Sequence, residues 1–300
     1  MKVIYGVKNI KKFRKPVVAI GVFDGVHRGH REILESAFAK ARSIKGTSIA
    51  LTFWPHPQQE ESLYSLEHRL KLIGGLGIDA CIVINFNKKF SNIAALDFIK
   101  DILSKKLGAS YIYVGRNFRF GKNAQGDSKT LEELSGIHDF KLKFFKISKI
   151  NNQPISSSYI RALIKKGKLS EAQKLLTRPV SVLGTIIKGT SLGRKLGFPT
   201  ANIDPHHEVI PPSGVYASGV IFKNKKFYGA CFIGTKHKTK YAKNNIEVYI
   251  FNFNKNIYGK KIEIQFIKKI RDPINFSSQA ALAGQIKKDI TFIKTFFSCH

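Results

Sequence analysis

The first half of the chain alternates between short apolar runs and amphipathic segments. The apolar runs have the length of β-strands and occupy residues 17–20, 48–53, 80–85 and 111–114. A further strand is predicted at residues 140–147, where lysines interrupt the apolar residues. Between them, apolar residues recur every three or four positions, as at Leu34, Phe38 and Ala41, which predicts helices. This alternation predicts a Rossmann-like α/β domain, with a mostly parallel sheet and helices on both faces.

The second part of the chain is a series of strands. They are predicted at residues 180–187, 215–222, 227–233, 246–253 and 262–267. A helix around residues 282–293 follows them. Five or six strands with short connections predict a small antiparallel β-barrel with a C-terminal helix, because closure removes exposed sheet edges. A chain of 300 residues fits two domains, and the change of pattern predicts them at 1–180 and 181–300.

The chain is strongly basic, with a formal net charge of +31. Such a charge is typical of proteins that bind nucleic acid or anionic membranes. The lysines are spread along the whole chain, however, which favours a solvated basic surface over one binding face. The resulting field is expected to attract anionic small molecules.

The three cysteines do not form a disulfide framework or a zinc motif. Cys81 and Cys231 lie in apolar strand-like runs, and Cys299 is next to last. They are expected to be reduced, which predicts a cytoplasmic protein. No cleavable leader or membrane-spanning run is recognised, so a soluble, unprocessed chain is expected.

Residues 21–30, GVFDGVHRGH, connect a predicted strand to a predicted helix. Glycines let backbone N–H groups approach an anion, and a helix N-terminus adds partial positive charge. His27 and His30 would then lie beside bound phosphates. The other predicted phosphate-binding residues of this turn are Gly21, Phe23, Asp24, Gly25 and Gly29. A glycine-rich turn with two surface histidines is the alternative, since short motifs match by chance.

Two further loops follow predicted strands of this domain, at the edge where open α/β sheets bind ligands. His56 and Pro57 follow the second predicted strand, and a rigid turn is the alternative interpretation. A later loop, GRNFRFG, contains Asn117, Phe118 and Arg119. Aromatic rings stack on planar heterocycles and guanidinium groups bind phosphate. Aromatic residues packed into the core would produce the same pattern.

Residues 155–161, ISSSYIR, begin another predicted helix. One serine there is explained as an N-cap. The three serines, Ser156, Ser157 and Ser158, together with Arg161 one turn later, favour a phosphate site instead.

The second domain contains a long glycine-rich motif, KGTSLGRKLGFPTAN, at residues 188–202. Its glycines would let the loop fold over phosphates, and Thr200 and Asn202 offer oxygen ligands for Mg²⁺. The predicted phosphate-binding residues of this loop are Gly189, Gly193, Arg194, Lys195, Gly197, Phe198 and Pro199. It is not a Walker A loop.

The strand at residues 246–251, IEVYIF, contains one acid, Glu247. A lone carboxylate in a strand can simply face solvent. Upstream, residues 211–217 read PPSGVYA and include Tyr216.

In their order along the chain, these motifs resemble those of the bacterial bifunctional riboflavin kinase/FMN adenylyltransferases, also called FAD synthetases. The stretch at residues 21–30 resembles the signature of the nucleotidyltransferase superfamily, and residues 188–202 resemble the riboflavin kinase signature. The resemblance implies that the first domain adenylylates FMN with ATP to give FAD and pyrophosphate. The barrel would phosphorylate riboflavin with MgATP to give FMN.

The resemblance also implies roles for single residues. Adenylylation would use His27, His30, Asn117 and Arg161, and Glu247 would be the base of the kinase reaction, with Thr200 and Asn202 holding Mg²⁺. Flavin binding would involve His56, Pro57, Phe118, Arg119, Tyr216, Arg271 and Phe276. The expected partners are the small molecules riboflavin, FMN and ATP, with no specific nucleic acid and no membrane.

One loop departs from the family pattern. Residues 233–239 read IGTKHKT, where the family has I-G-x-x-P-T-F. Lys236, His237 and Lys238 are expected to weaken riboflavin binding without removing the kinase reaction.

Two other functions compete with this interpretation. An adenylyltransferase for another phosphate, such as phosphopantetheine, would share the first domain but not the barrel motif. A nucleic-acid-binding protein is suggested by the charge alone, and the sequence contains no recognised binding module.

Overall fold

The computed structural model describes residues 1–57, 61–150, 152–234 and 245–299. The chain divides into two compact units, Met1–Ser157 and Ser158–His300. The predicted boundary near residue 180 stays a prediction. The divergent loop with Lys236, His237 and Lys238 lies outside the described residues.

The first unit is built on a six-stranded parallel sheet with the order β1-β4-β3-β2-β5-β6. Its strands are β1 (Lys2–Tyr5), β2 (Pro16–Ile20), β3 (Thr47–Trp54), β4 (Ala80–Asn85), β5 (Tyr111–Gly115) and β6 (Lys141–Phe145). The chain passes from β2 outwards through β3 to β4, and later places β5 on the other side of β2. The border between β2 and β5 is therefore the switch point at which such sheets bind ligands.

Helices cover both faces of this sheet. They are α1 (Arg28–Ser43), α2 (Leu66–Gly75), α3 (Lys88–Ser91), α4 (Ala95–Asp97) with its π-helical continuation (Phe98–Lys106), and α5 (Ser128–Ser135). Short 3₁₀ turns lie at Asp24–Val26 and Lys122–Ala124, and a small hairpin is formed by β7 (Lys149–Ile150) and β8 (Gln153–Pro154).

Alternate residues of the strands enter two different cores. Val17 and Ala19 pack with α1 and α2 on one face, whereas Val18 and Ile20 pack with the π-helical segment on the other. The period of two in a strand explains why β2 is apolar at every position: it is covered on both faces.

The second unit is a closed antiparallel barrel with the strand order β10-β13-β12-β11-β14-β9. The strands are β9 (Val180–Ile187), β10 (Ala201–Asp204), β11 (Gly214–Phe222), β12 (Lys225–Gly234), β13 (Asn245–Ile250) and β14 (Lys261–Arg271). The helices are α6 (Ser157–Lys165), α7 (Leu169–Leu176), α8 (Leu192–Lys195) and α9 (Gln279–Ser298). Val215 and Ala217 of β11 pack with Ile290 and Ile293 of α9, which places this helix on the outside of the barrel.

The predicted architecture is confirmed: a parallel α/β sheet is followed by an antiparallel barrel and a C-terminal helix. Strands β1 and β10 and the β7–β8 hairpin were not among the predicted elements. Among the described residues, no helix is both long enough and apolar enough to cross a membrane. All three cysteines are free. Burial raises the pKa of the Cys81 thiol to about 12 and also raises the pKa of Cys231, so both behave as unreactive core thiols.

Candidate active sites

The turn after β2 has an unusual backbone. Phe23, Gly25 and Val26 have φ values of 53°, 79° and 39°. Glycine adopts this left-handed region freely, which explains Gly25, but phenylalanine and valine are strained there. The strain persists only where surrounding contacts hold the chain, and such positions cluster at functional sites.

The two histidines of the motif lie at the start of α1. His27 is the N-cap, and its Nδ1 accepts a hydrogen bond from the backbone N–H of His30 at 3.4 Å. The two imidazole rings are stacked, with centroids 3.6 Å apart and an angle of 19°. His30 also makes an edge contact with Phe23 at 5.4 Å. The structure therefore brings both predicted catalytic histidines together at a helix N-terminus.

The serine-rich segment reaches the same turn. Ser157 Oγ donates a hydrogen bond to the backbone carbonyl of Asp24 at 2.9 Å. Gly21 directly precedes this turn, and Gly29 is the second residue of α1. Ser156 precedes α6, and Ser158 and Arg161 lie within it. The structure thus joins residues 24 and 157, which are far apart in sequence.

Phe23 and Asp24 point into the protein. Phe23 is fully buried in the core, and Asp24 is 1% exposed. The Asp24 carboxylate accepts hydrogen bonds from the N–H groups of Leu63 at 2.8 Å and Tyr64 at 3.3 Å. These contacts support the turn and do not present the carboxylate to a ligand.

The loop after β5 lies at the switch point, as the strand order requires. Asn117 is exposed, and the Phe118 ring is half-buried and stacked with Phe120 at 5.4 Å. Arg119 forms an ion pair with Asp127 at 3.1 Å. His56, after β3, is buried at 9% exposure, with Pro57 beside it half-buried.

The barrel brings together the three residues predicted for kinase chemistry. Asn202 of β10 lies directly opposite Glu247 of β13 in the antiparallel register. Thr200 Oγ1 donates a hydrogen bond to Glu247 Oε2 at 3.2 Å. The Glu247 side chain is only half-buried. The hydroxyl, amide and carboxylate therefore form one cluster that solvent reaches.

The glycine-rich loop closes against this cluster. A β-carbon on Gly189 would lie 2.2 Å from the side-chain nitrogen of Asn202, which is closer than real contacts allow. The other predicted residues of the loop lie in or next to α8. Gly193 and Phe198 are half-buried, and the exposed residues are Arg194, Lys195, Gly197 and Pro199.

We expect Gly189→Ala to lower the riboflavin kinase activity that the resemblance implies about tenfold, because a shift of about 1 Å in a reacting group costs up to about 10²-fold. The added methyl group must displace the Asn202 amide. Steady-state kinase rates at several Mg²⁺ concentrations will measure the effect. Gly284→Ala, in α9, is the matched control: its β-carbon meets no atom within 4 Å in the described structure. Equal losses in both variants would contradict the assignment.

The predicted flavin residues of the barrel have strong protein contacts. Arg271, at the end of β14, pairs with Asp289 of α9 through two nitrogens, at 3.1 and 2.7 Å. Tyr216 is fully buried beside Phe266, and its hydroxyl donates to the Pro212 carbonyl at 2.5 Å. Burial raises the pKa of Tyr216. Phe276 is half-buried in the segment before α9.

Sequence reasoning did not identify Arg69 or Asp289. Arg69 lies in α2 and is fully buried against Asp24, and Asp289 is the buried partner of Arg271. Arg69 follows Leu66 by three positions and precedes Ile73 by four. This spacing places it on the apolar face of its helix, which is a signal that the sequence does contain.

A histidine turn at the end of a parallel strand and a polar cluster in a barrel are the arrangement expected of a two-domain transferase. A family model for FAD synthetase matches residues 9–159, and a family model for riboflavin kinase matches residues 176–297. The chain belongs to the bifunctional riboflavin kinase/FMN adenylyltransferase family.

Relatives that bear this name match over nearly the whole chain. The protein from Buchnera aphidicola subsp. Schizaphis graminum is 38% identical, covering 99% of each chain. The protein from Escherichia coli K12 is 31% identical, covering 99% of this chain and 98% of its own. The protein from Bacillus subtilis 168 is 34% identical, covering 95% of this chain and 93% of its own. A crystal structure from Streptococcus pneumoniae, described as a macrolide-efflux protein, matches with a TM-score of 0.83 at 27% identity, covering 96% of this chain and 97% of that one.

Proposed function

We propose that this chain makes FAD from riboflavin in two ATP-dependent steps, one in each unit. The observation that carries the proposal is the Thr200, Asn202 and Glu247 cluster in the barrel together with the stacked His27 and His30 at the α1 N-terminus. Each cluster lies within the range of the corresponding family model.

In the kinase step, Glu247 accepts the proton of the riboflavin 5′-hydroxyl as that oxygen attacks the γ-phosphate of ATP and ADP leaves. Thr200 holds the carboxylate in place through the 3.2 Å hydrogen bond. The donor set suits Mg²⁺, a hard cation that takes oxygen ligands. Thr200 Oγ1 and the Asn202 amide oxygen would hold it, and the ion would neutralise charge on the phosphates. The Gly189 loop covers ATP.

In the adenylylation step, a phosphate oxygen of FMN attacks the α-phosphate of ATP and pyrophosphate leaves. His27, His30 and Ser157 stabilise the developing charge by hydrogen bonds, and Asn117 lines the site. The role predicted for Arg161 stays a prediction. The hydroxyl of Ser157 is fixed against the turn that carries the histidines. His56, Pro57, Phe118 and Arg119 line the flavin side. No covalent enzyme intermediate is needed.

The test is to incubate the full chain with riboflavin and MgATP and to separate the flavins by chromatography. FMN is expected first and FAD later, and a chelator is expected to stop the formation of FMN. A chain that leaves riboflavin unchanged, or that stops at FMN when ATP is in excess, would refute one or both activities. A cytoplasmic location and the absence of nucleic-acid and membrane partners stay predictions.

A further inference from the structure

Asp24 and Arg69 form a buried ion pair beneath the histidine turn. Their side chains are 1% and 0% exposed, and Arg69 Nη2 lies 3.6 Å from Asp24 Oδ1. Burial lowers the pKa of the Arg69 guanidinium, and the Asp24 carboxylate opposes this shift. A fully buried arginine is rare and costly unless its charge is compensated.

Arg69 joins the turn to the end of the neighbouring strand. Its Nη1 donates hydrogen bonds to the carbonyl oxygens of Val22 at 2.9 Å and Phe53 at 3.3 Å. Its guanidinium also lies over the Trp54 ring at 5.3 Å. Thr52 Oγ1 donates a second hydrogen bond to the Val22 carbonyl, at 2.7 Å. Side chains of both β3 and α2 therefore fix the backbone at Val22, where the turn begins.

Asp24 holds the middle of the same turn. Its carboxylate accepts the N–H groups of Leu63 and Tyr64, and its own carbonyl accepts the hydroxyl of Ser157. These contacts surround the positions with positive φ. The local backbone preferences of Phe23 and Val26 oppose this conformation, so the turn needs such external support.

We propose that the Asp24–Arg69 pair is a positioning device for adenylylation, which fixes the turn so that His27 and His30 face the reacting phosphates. This inference rests on the proposed function of the first unit. Neither residue touches substrate, since both side chains are buried. Arg69 acts through the Val22 carbonyl and Asp24, and the turn then leads directly into the N-cap of α1.

The first test compares Arg69→Gln, Arg69→Lys and Asp24→Asn in the full chain. We expect Arg69→Gln and Asp24→Asn to lower kcat for FAD formation from FMN about 10- to 100-fold, through misplaced groups. Riboflavin phosphorylation, measured in the same preparation, should be unchanged. Arg69→Lys keeps the charge and should recover part of the loss. Arg42→Gln, which removes an exposed partner of Asp79 in the same unit, is the matched control.

The second test separates positioning from mere stabilisation of the fold. If Arg69 acts through the histidines, Arg69→Gln should cause a clearly smaller loss in a His30→Ala background than in the wild-type chain, because the effects are coupled. Equal losses in both backgrounds would overturn the proposal. Unchanged adenylylation in a folded Arg69→Gln variant would also overturn it. If Arg69→Gln does not fold, unchanged adenylylation in both Arg69→Lys and Asp24→Asn would do the same.

A spectroscopic measurement decides the proposal independently of catalysis. The imidazole NMR signals of His27 and His30 should shift in Arg69→Gln and stay unchanged in Arg42→Gln. If Arg69→Gln does not fold, Arg69→Lys takes its place in this comparison. Unshifted signals would overturn the positioning role. A wild-type chain that makes no FAD would instead refute the proposed function, and the NMR comparison would still stand.

Discussion

Glu247→Gln is expected to lower riboflavin phosphorylation by about 10²- to 10⁴-fold, the range for loss of a general base. Glutamine keeps the shape of the side chain and its contact with Thr200 but accepts no proton. FMN supplied from outside should still be converted to FAD at the normal rate, because His27 and His30 belong to the other unit. Initial rates with riboflavin and, separately, with FMN will measure both activities.

The control for this variant is Glu171→Gln. Glu171 lies in α7 of the same unit and pairs with Lys168 on the surface at 3.0 Å. It should leave both rates unchanged. If folded Glu247→Gln phosphorylated riboflavin normally, Glu247 would not be the base. If it lost both activities, the assignment of one reaction to each unit would be wrong.

His30→Ala is expected to let FMN accumulate with little FAD. Removing one preorganised hydrogen-bond donor from a phosphoryl-type transition state costs about 10²- to 10³-fold. The stacked contact with His27 and the edge contact with Phe23 are lost as well, so the neighbouring histidine loses support. Time courses from riboflavin, with FMN and FAD resolved by chromatography, will show the block.

His138→Ala is the matched histidine variant, since His138 follows α5 in the same unit and its backbone N–H donates to the Leu134 carbonyl. It should form FAD at the wild-type rate. Normal FAD formation by His30→Ala would exclude His30 from the catalytic groups. If His30→Ala lost riboflavin phosphorylation as well as FAD formation, the variant would be misfolded.

The sequence predicted most of the fold because its two periodicities are clear. Fully apolar runs mark strands covered on both faces, as in β2, and spacings of three and four mark the helices. Strand β1 was missed because Lys2–Tyr5 is short and partly polar, and it pairs at the edge of the sheet with β4. Strand β10 was missed because its four residues, Ala201–Asp204, belong to the glycine-rich motif and only their barrel partners make them a strand.

The candidate sites were predicted in part. Local motifs place His27 and His30 correctly in a turn and helix start, and name Thr200, Asn202 and Glu247. The register that puts Asn202 opposite Glu247 depends on strands far apart in sequence. Asp24 was predicted to bind phosphate, but its side chain points into the protein, where Arg69 meets it. Pairs such as Asp24–Arg69 and Arg271–Asp289 are tertiary contacts, which no short window of sequence reveals.

The place of β2 in the sheet also affects how the adenylylation unit opens. Both neighbours of β2 are hydrogen-bonded strands, and every one of its five residues is buried. Its amides therefore exchange with solvent through the rarest openings, whereas the outer strands β1 and β6 fray at lower cost. The histidine turn leaves directly from this strand. When only the edge strands of the sheet open, β2 therefore stays paired and keeps the histidine turn in place until the whole unit unfolds.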